Sequence, residues 1–448
     1  MIQSNSMVEG KLTVGGRRDW WFGVLVPHPF FFQMRGTFGL YAEPEELPIG
    51  LGVPIGFLVA VFLLLPDLPA MAKRLQLGFL PKAGIVLFST WVLFLGMLGA
   101  QLDLLALLYA VQWIAPVILV FYLAVVVQSE QRLEQLLSGL RRGTGLALIW
   151  LCGLFLMELF ASGGFEGRMT QNAYLPGMYQ LYNYVPVSLT LASLFCAGVE
   201  ALSRHKKRQW KTWAFLFGAA MVPLMTGARD PALIYLVVAP FAAWWTARLR
   251  GLIYLVGGSA TMVLFFLLLV DGNLLLLHKL HGTFASYGET TLRGMFGPRA
   301  DVMESYWGLV ERHPWTGLRL LPPSIADPEA GVIAKSAHNT YIDIAARGGP
   351  LALVSFCMIV FSALWHVPRL LIRSVREANE TLRAPSMLRV AAQAAAAPVA
   401  GLLLISCNLR TPLREPISAA IGFLLIGFIL CWAYAEKRGS ASSSSIKG

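Results

Sequence analysis

Leu104–Val127 reads LLALLYAVQWIAPVILVFYLAVVV, a continuous apolar run without a single charged side chain. The hydrocarbon of a bilayer is roughly 30 Å thick and takes about 20 helical residues to cross. Away from water, a lone segment can satisfy its own backbone only as a helix. The run therefore predicts a membrane-spanning helix. Working outward, comparable runs lie near residues 20–34, 49–66, 83–101, 144–161, 185–202, 212–226, 232–247, 252–270, 350–367, 390–407 and 417–434. They are continuous rather than alternating, which excludes a closed β-barrel. The expected fold is an all-α polytopic membrane protein of about twelve transmembrane helices, with one long external loop containing short helices.

Composition agrees. Of 448 residues, 56% are hydrophobic and 14% charged, with mean hydropathy +0.62, far too apolar for a soluble globule. The net charge of +11 does not point to nucleic acid. Most Lys and Arg fall in alternate connections, among them Lys73 and Arg74, Arg141 and Arg142, Arg204 to Lys211, Arg248 and Arg250, and Arg369 to Arg389. By the positive-inside rule those connections are cytoplasmic, as are both termini, and the long polar segment is outside. The chain divides into nine helices over 1–270, an external loop over 271–349, three helices over 350–434 and a Ser-rich tail, 435–448, expected to be disordered. The first run, broken by Pro27 and Pro29 and lacking a cleavage site, is expected to be a retained, kinked first helix. The five cysteines sit in apolar runs without ligand or disulfide spacing, and a carboxylate cluster at Glu43, Glu45 and Glu46 lacks a helically spaced His or Asp beside it. No metal or cofactor is expected.

Polar chemistry concentrates late in the chain. In Ala337–Leu351, AHNTYIDIAARGGPL, the pair His338 and Asn339 precedes a short apolar-faced helix that Gly348, Gly349 and Pro350 end. Thr226–Pro231, TGARDP, puts Arg229 at the external end of a span, where an arginine needs water, a partner or an anion. An ion pair with Asp230, snorkelling to the interface, or an anion clamp would each supply one. The external loop carries Arg293, Arg299, Arg312, Arg319, Lys335 and Arg347, and over 301–312 it spaces Val302, Met303, Tyr306, Leu309 and Val310 along one helical face.

The stretches TGARDPAL (226–233), GPRADVMESYWGLVERHPWTGL around Arg299, Pro314 and Gly317, and HNTYIDIAARGG (338–349) resemble, in order and spacing, the signature of the O-antigen ligase and polymerase superfamily of bacterial inner-membrane glycosyltransferases. The resemblance covers about residues 226–352. Arg347, Arg319 and Ala352 depart from the family pattern, which has a glutamate, a glycine and a second glycine there. The resemblance implies transfer of a glycan from an undecaprenyl-pyrophosphate carrier to a hydroxyl at the periplasmic face, without metal and with inversion. For a ligase the acceptor is the lipid A core oligosaccharide; for a polymerase it is another lipid-linked repeat.

Residue chemistry fits this independently. The planar fork of arginine binds phosphate oxygens in pairs and stays charged. Arg229 and Arg299 are assigned to the pyrophosphate, with Arg293, Arg319 and Arg347 as further candidates. An imidazole, with an ordinary pKa of about 6.5, suits deprotonation of an acceptor hydroxyl, so His338 is the expected general base. Asn339 and Tyr341 complete the candidate substrate-binding set. A transporter or flippase of an anionic lipid-linked solute is the alternative of another class. It would call for an inverted repeat, and none is evident.

Overall fold

The computed structural model describes residues 14–27, 31–32, 53–54, 62, 77–162, 181–203, 209–269, 276–277, 281, 298–332, 336–379, 386–409 and 416–445. Apart from residues 53–54 and 62, the expected span 49–66 lies outside them, as do the carboxylate cluster at Glu43 to Glu46, Arg293 and Lys335. The helices in chain order are α1 (Val14–Leu25), α2 (Phe79–Gly99), α3 (Leu105–Val126), α4 (Glu130–Ser162), α5 (Leu181–Leu202), α6 (Gln209–Thr226), α7 (Arg229–Leu269), α8 (Pro298–Arg312), α9 (Thr340–Leu364), α10 (Val367–Asn379), α11 (Met387–Gly401) and α12 (Pro416–Ser445). Among the described residues, only Phe31–Phe32 and Val53–Pro54 form a strand pair. The protein is an all-α polytopic membrane protein in which eight described helices are long and apolar enough to cross a bilayer.

α7 is really a hairpin. Ala247 (φ −145°, ψ 20°) and Arg248 (φ 52°, ψ −133°) leave helical geometry. In a straight helix Tyr235 and Ser259 would stand about 36 Å apart, yet their hydroxyls lie 2.9 Å apart. A Cβ on Gly251 would come within 2.1 Å of the Ala243 carbonyl oxygen. The chain therefore doubles back, and its two legs, 229–246 and 249–269, occupy the expected spans 232–247 and 252–270.

The first helix differs from expectation. α1 covers Val14–Leu25, earlier than the apolar run at 20–34, and its 12 residues rise only about 18 Å. Pro27 and Pro29 explain why it does not continue through that run. It packs instead on α4, where Cβ atoms on Gly139 and Gly143 would meet the carbonyl oxygens of Trp20 and Val24 at 2.1 and 2.3 Å. Small residues four apart let the two backbones touch. At this end of the bundle Arg132 donates to both oxygens of buried Asp19, at 2.6 and 2.9 Å, and Tyr122 donates to the same carboxylate at 2.7 Å. Arg141 pairs with Glu200 and Arg373 with Glu436 at the same end.

α2 packs on α9, and α3 on α12. The ends of α2, α6 and α11 and the starts of α7 and α9 gather at the other end of the bundle. There α8 lays Tyr306 and Leu309 against Leu318, Ala337 and Ala346, with Val302 and Val310 at the edge. The amphipathic helix expected over 301–312 is thus packed onto the bundle. α12 continues as helix to Ser445, into the Ser-rich stretch.

Candidate active site

The site is built on the last turns of α11. After Gly401 the helix widens into a π-turn, Leu402–Ser406, before closing with Cys407–Leu409. A π-turn adds a residue to the turn, so side chains change register and carbonyls turn outward, a distortion frequent at functional sites. Here the Leu404 carbonyl accepts from the Asn408 amide at 2.9 Å and the Leu403 carbonyl from the Tyr341 hydroxyl at 3.1 Å.

Three separate segments attach to this turn. In TGARDP, α6 stops as Thr226 Oγ1 donates to the Val222 carbonyl, Gly227 takes φ 61°, and α7 starts at Arg229 with Pro231 in its first turn. A left-handed glycine after one helix and a proline at the start of the next are what backbone sterics favour. Asp230, buried at 1% exposure, accepts from Ser406 Oγ at 3.1 Å, leaving Arg229 half-buried beside it. On α8, half-buried Arg299 donates through Nη1 to the Leu409 carbonyl at 2.9 Å, satisfying a helix-terminal acceptor.

The third segment carries the histidine. Asn339 caps α9, its Oδ1 accepting from the backbone N–H groups of Tyr341 and Ile342 at 3.0 and 3.1 Å. Its Nδ2 approaches Asn408 Oδ1 at 3.5 Å, and Thr340 is hydrogen-bonded to Cys407. His338, half-buried, has φ 52°, a left-handed conformation that costs a non-glycine residue roughly 1–2 kcal/mol. The expense is sustained by its neighbours, since Ala337 is fully buried and donates its N–H to Asp343 Oδ1 at 3.2 Å.

Ser406 to Leu409 spans about 4.5 Å of helix axis. Residues adjoining Arg229 and His338, and Arg299 itself, are therefore fastened within about one helical turn of one another. The convergence brings the three segments that carry Arg229, Arg299 and His338 to one rim of the bundle.

Arg347 and Arg319 stand elsewhere. The break expected at Gly348–Pro350 is present, with Gly349 at φ 71°, ψ −179°. Eight helical residues place Arg347 about 12 Å along the axis from Asn339. It is 1% exposed, 3.5 Å from Asp343 and 5.7 Å from the Tyr109 ring, and it donates to the Leu320 carbonyl at 3.3 Å. Arg319 is exposed at φ 51°, in a loop whose Leu318 and Leu320 N–H groups bond the carbonyls of Ala346 and Arg347. Gly317, at φ 55°, lies so close that a Cβ would meet the Ala346 carbonyl oxygen at 2.6 Å, and Trp91 closes the break by donating to the Gly348 carbonyl at 2.8 Å. Among the described residues no three His, Cys, Asp or Glu side chains are grouped as metal ligands.

The segment holding all three motifs, residues 213–357, matches the family model described as O-antigen ligase. Over residues 213–357 the chain is thus similar to the O-antigen ligase family. The O-antigen ligase match runs from α6 through the break in α9 and takes in Arg229, Arg299, His338 and Arg347. No curated protein matches the sequence significantly.

The turn that gathers the O-antigen ligase motifs, Ser406–Leu409, lies beyond the matched segment, and sequence reasoning did not single it out. The available signal was Ser406 and Asn408, two polar side chains at the end of an apolar span, where such groups rarely occur without partners. Asp230 and Asp343 were likewise overlooked as site residues, although each stands beside or one turn from a residue that was chosen.

Proposed function

We propose that the protein is an O-antigen ligase that transfers a glycan from undecaprenyl pyrophosphate to a hydroxyl of the lipid A core oligosaccharide, in the bacterial inner membrane and at its periplasmic face. The observation that carries this reading is the attachment of the Arg229, Arg299 and His338 segments to the single turn Ser406–Leu409. The matched family supports a lipid-linked glycan as substrate class. In the reaction, His338 takes the proton of the acceptor hydroxyl as its oxygen bonds to the anomeric carbon. The bond from that carbon to the pyrophosphate oxygen breaks, and the electron pair leaves with the undecaprenyl pyrophosphate. Attack opposite the leaving group inverts the anomeric centre.

Arg229 and Arg299 hold the departing charge by paired, charge-assisted hydrogen bonds, strongest when negative charge builds on the leaving oxygen. Arg293 is kept as a further phosphate ligand. Asn339 and Tyr341 border the donor while capping and anchoring α9. Arg319, outside this rim, contacts the donor or acceptor at its periphery, and Arg347 acts from the interior. The mechanism is metal-independent.

The polymerase reaction requires the same donor chemistry and differs in acceptor. Purified protein is supplied with lipid-linked glycan and lipid A core, with and without a chelator. A ligase yields glycosylated core in both cases. Lengthened lipid-linked glycan without core product would mark a polymerase, and movement of intact donor without either product would mark a transporter.

A further inference from the structure

Among the described residues Arg347 is the largest fully buried side chain, 1% exposed, on the first leg of α9. A buried guanidinium is held only with a compensating charge, and the carboxylate one turn earlier, Asp343, itself 1% exposed, supplies it at 3.5 Å. The same Asp343 Oδ1 accepts the N–H of Ala337, the residue before His338. On the other side of His338, Asn339 caps the helix. His338 is thus pinned in a left-handed backbone conformation from both flanks, and one of the two pins depends on a carboxylate whose own place is set by Arg347. The other end of Arg347 reaches the Leu320 carbonyl and the Tyr109 ring, so the pair ties the histidine to the bundle wall.

We propose that Asp343 and Arg347 are a positioning pair for His338, with Asp343 holding the Ala337–His338 backbone and Arg347 holding Asp343. This rests on His338 being the general base. Neither member touches the reacting atoms; they act by fixing where the imidazole stands, and misplacement of a catalytic group by about 1 Å can cost on the order of 100-fold in rate.

Single substitutions would strand a buried charge, so the test removes both. Asp343→Asn with Arg347→Gln leaves no charge and keeps an amide oxygen to accept from Ala337. Asp343→Ala with Arg347→Gln leaves no charge and no acceptor. Glycan transfer is measured for both, beside wild type and His338→Ala, on protein matched for monodisperse yield in detergent. The first double variant, whose amide oxygen can still accept from Ala337 but is no longer held by a guanidinium, is expected to lose about 10-fold in kcat, and wild-type kcat in it overturns the part given to Arg347. The second is expected to lose about 100-fold in kcat with donor KM within about twofold. Equal kcat in the two double variants, or a loss confined to KM, overturns the positioning role. Wild-type turnover in His338→Ala overturns instead the general-base assignment beneath it.

Discussion

Gly349→Ala is the sharpest structural perturbation. The residue sits at φ 71°, ψ −179°, a region open essentially to glycine alone, and forcing alanine into it costs about 1–3 kcal/mol. Its new Cβ would lie 2.2 Å from the Trp315 carbonyl oxygen and 3.3 Å from the Gly317 nitrogen. Both are backbone atoms that cannot swing away, so the overpacking adds about 1–3 kcal/mol more. The total, about 2–6 kcal/mol, falls on the junction that holds Leu318 and Leu320 against the carbonyls of Ala346 and Arg347. Gly308→Ala is the control. Gly308 lies inside α8, a Cβ there meets nothing within 4 Å, and alanine in a helix interior gains about 1 kcal/mol. Thermal unfolding in detergent should place Gly349→Ala well below wild type and Gly308→Ala at or above it, with transfer lost only in the former. A Gly349→Ala protein as stable and active as wild type would refute the requirement for a left-handed residue without a Cβ at this break.

Arg299→Lys keeps the charge but removes the planar fork; if the proposed contact to the pyrophosphate loses one charged hydrogen bond, about 1.5–3 kcal/mol, donor affinity measured by titration should fall about 10- to 150-fold. Tyr341→Phe deletes the bond to the Leu403 carbonyl and should lower unfolding stability by about 1 kcal/mol, read from denaturation midpoints. His313 donates to Asp327 at 3.0 Å and, with Arg312, holds its carboxyl below the usual 3.8. Because the folded-state value is depressed, that stabilisation is present above 3.8 and lost as pH falls through the folded value. Asp327→Asn should therefore loosen the 313–332 loop at neutral pH, seen as faster hydrogen exchange, and the difference from wild type should close on acidification below 3.8.

Most of the membrane architecture was legible because an apolar run's length fixes its span. Ten expected spans coincide with helices or helix legs, and the pair of arginines at 248 and 250 marked the turn of the α7 hairpin. The first helix was misjudged because hydropathy weights Val26–Phe32, whereas Pro27 and Pro29 and the glycine contacts with α4 decide where the helix lies. TGARDP and the His338–Asn339 pair were legible because left-handed glycine, proline and cap residues have local causes. The π-turn of α11 was not, since nothing in LLLIS separates it from an ordinary helix. Arg347 shows the limit of charge counting. Its i, i+4 spacing from Asp343 was visible, yet only packing reveals that the pair faces the interior.

The central claim is that an imidazole and two guanidinium groups gathered on one turn cleave a sugar from a diphosphate lipid. The most direct measurement is single-turnover transfer by His338→Ala, with donor binding determined on the same preparation. The account predicts donor affinity near wild type and no detectable product. Product formation at the wild-type rate would contradict it.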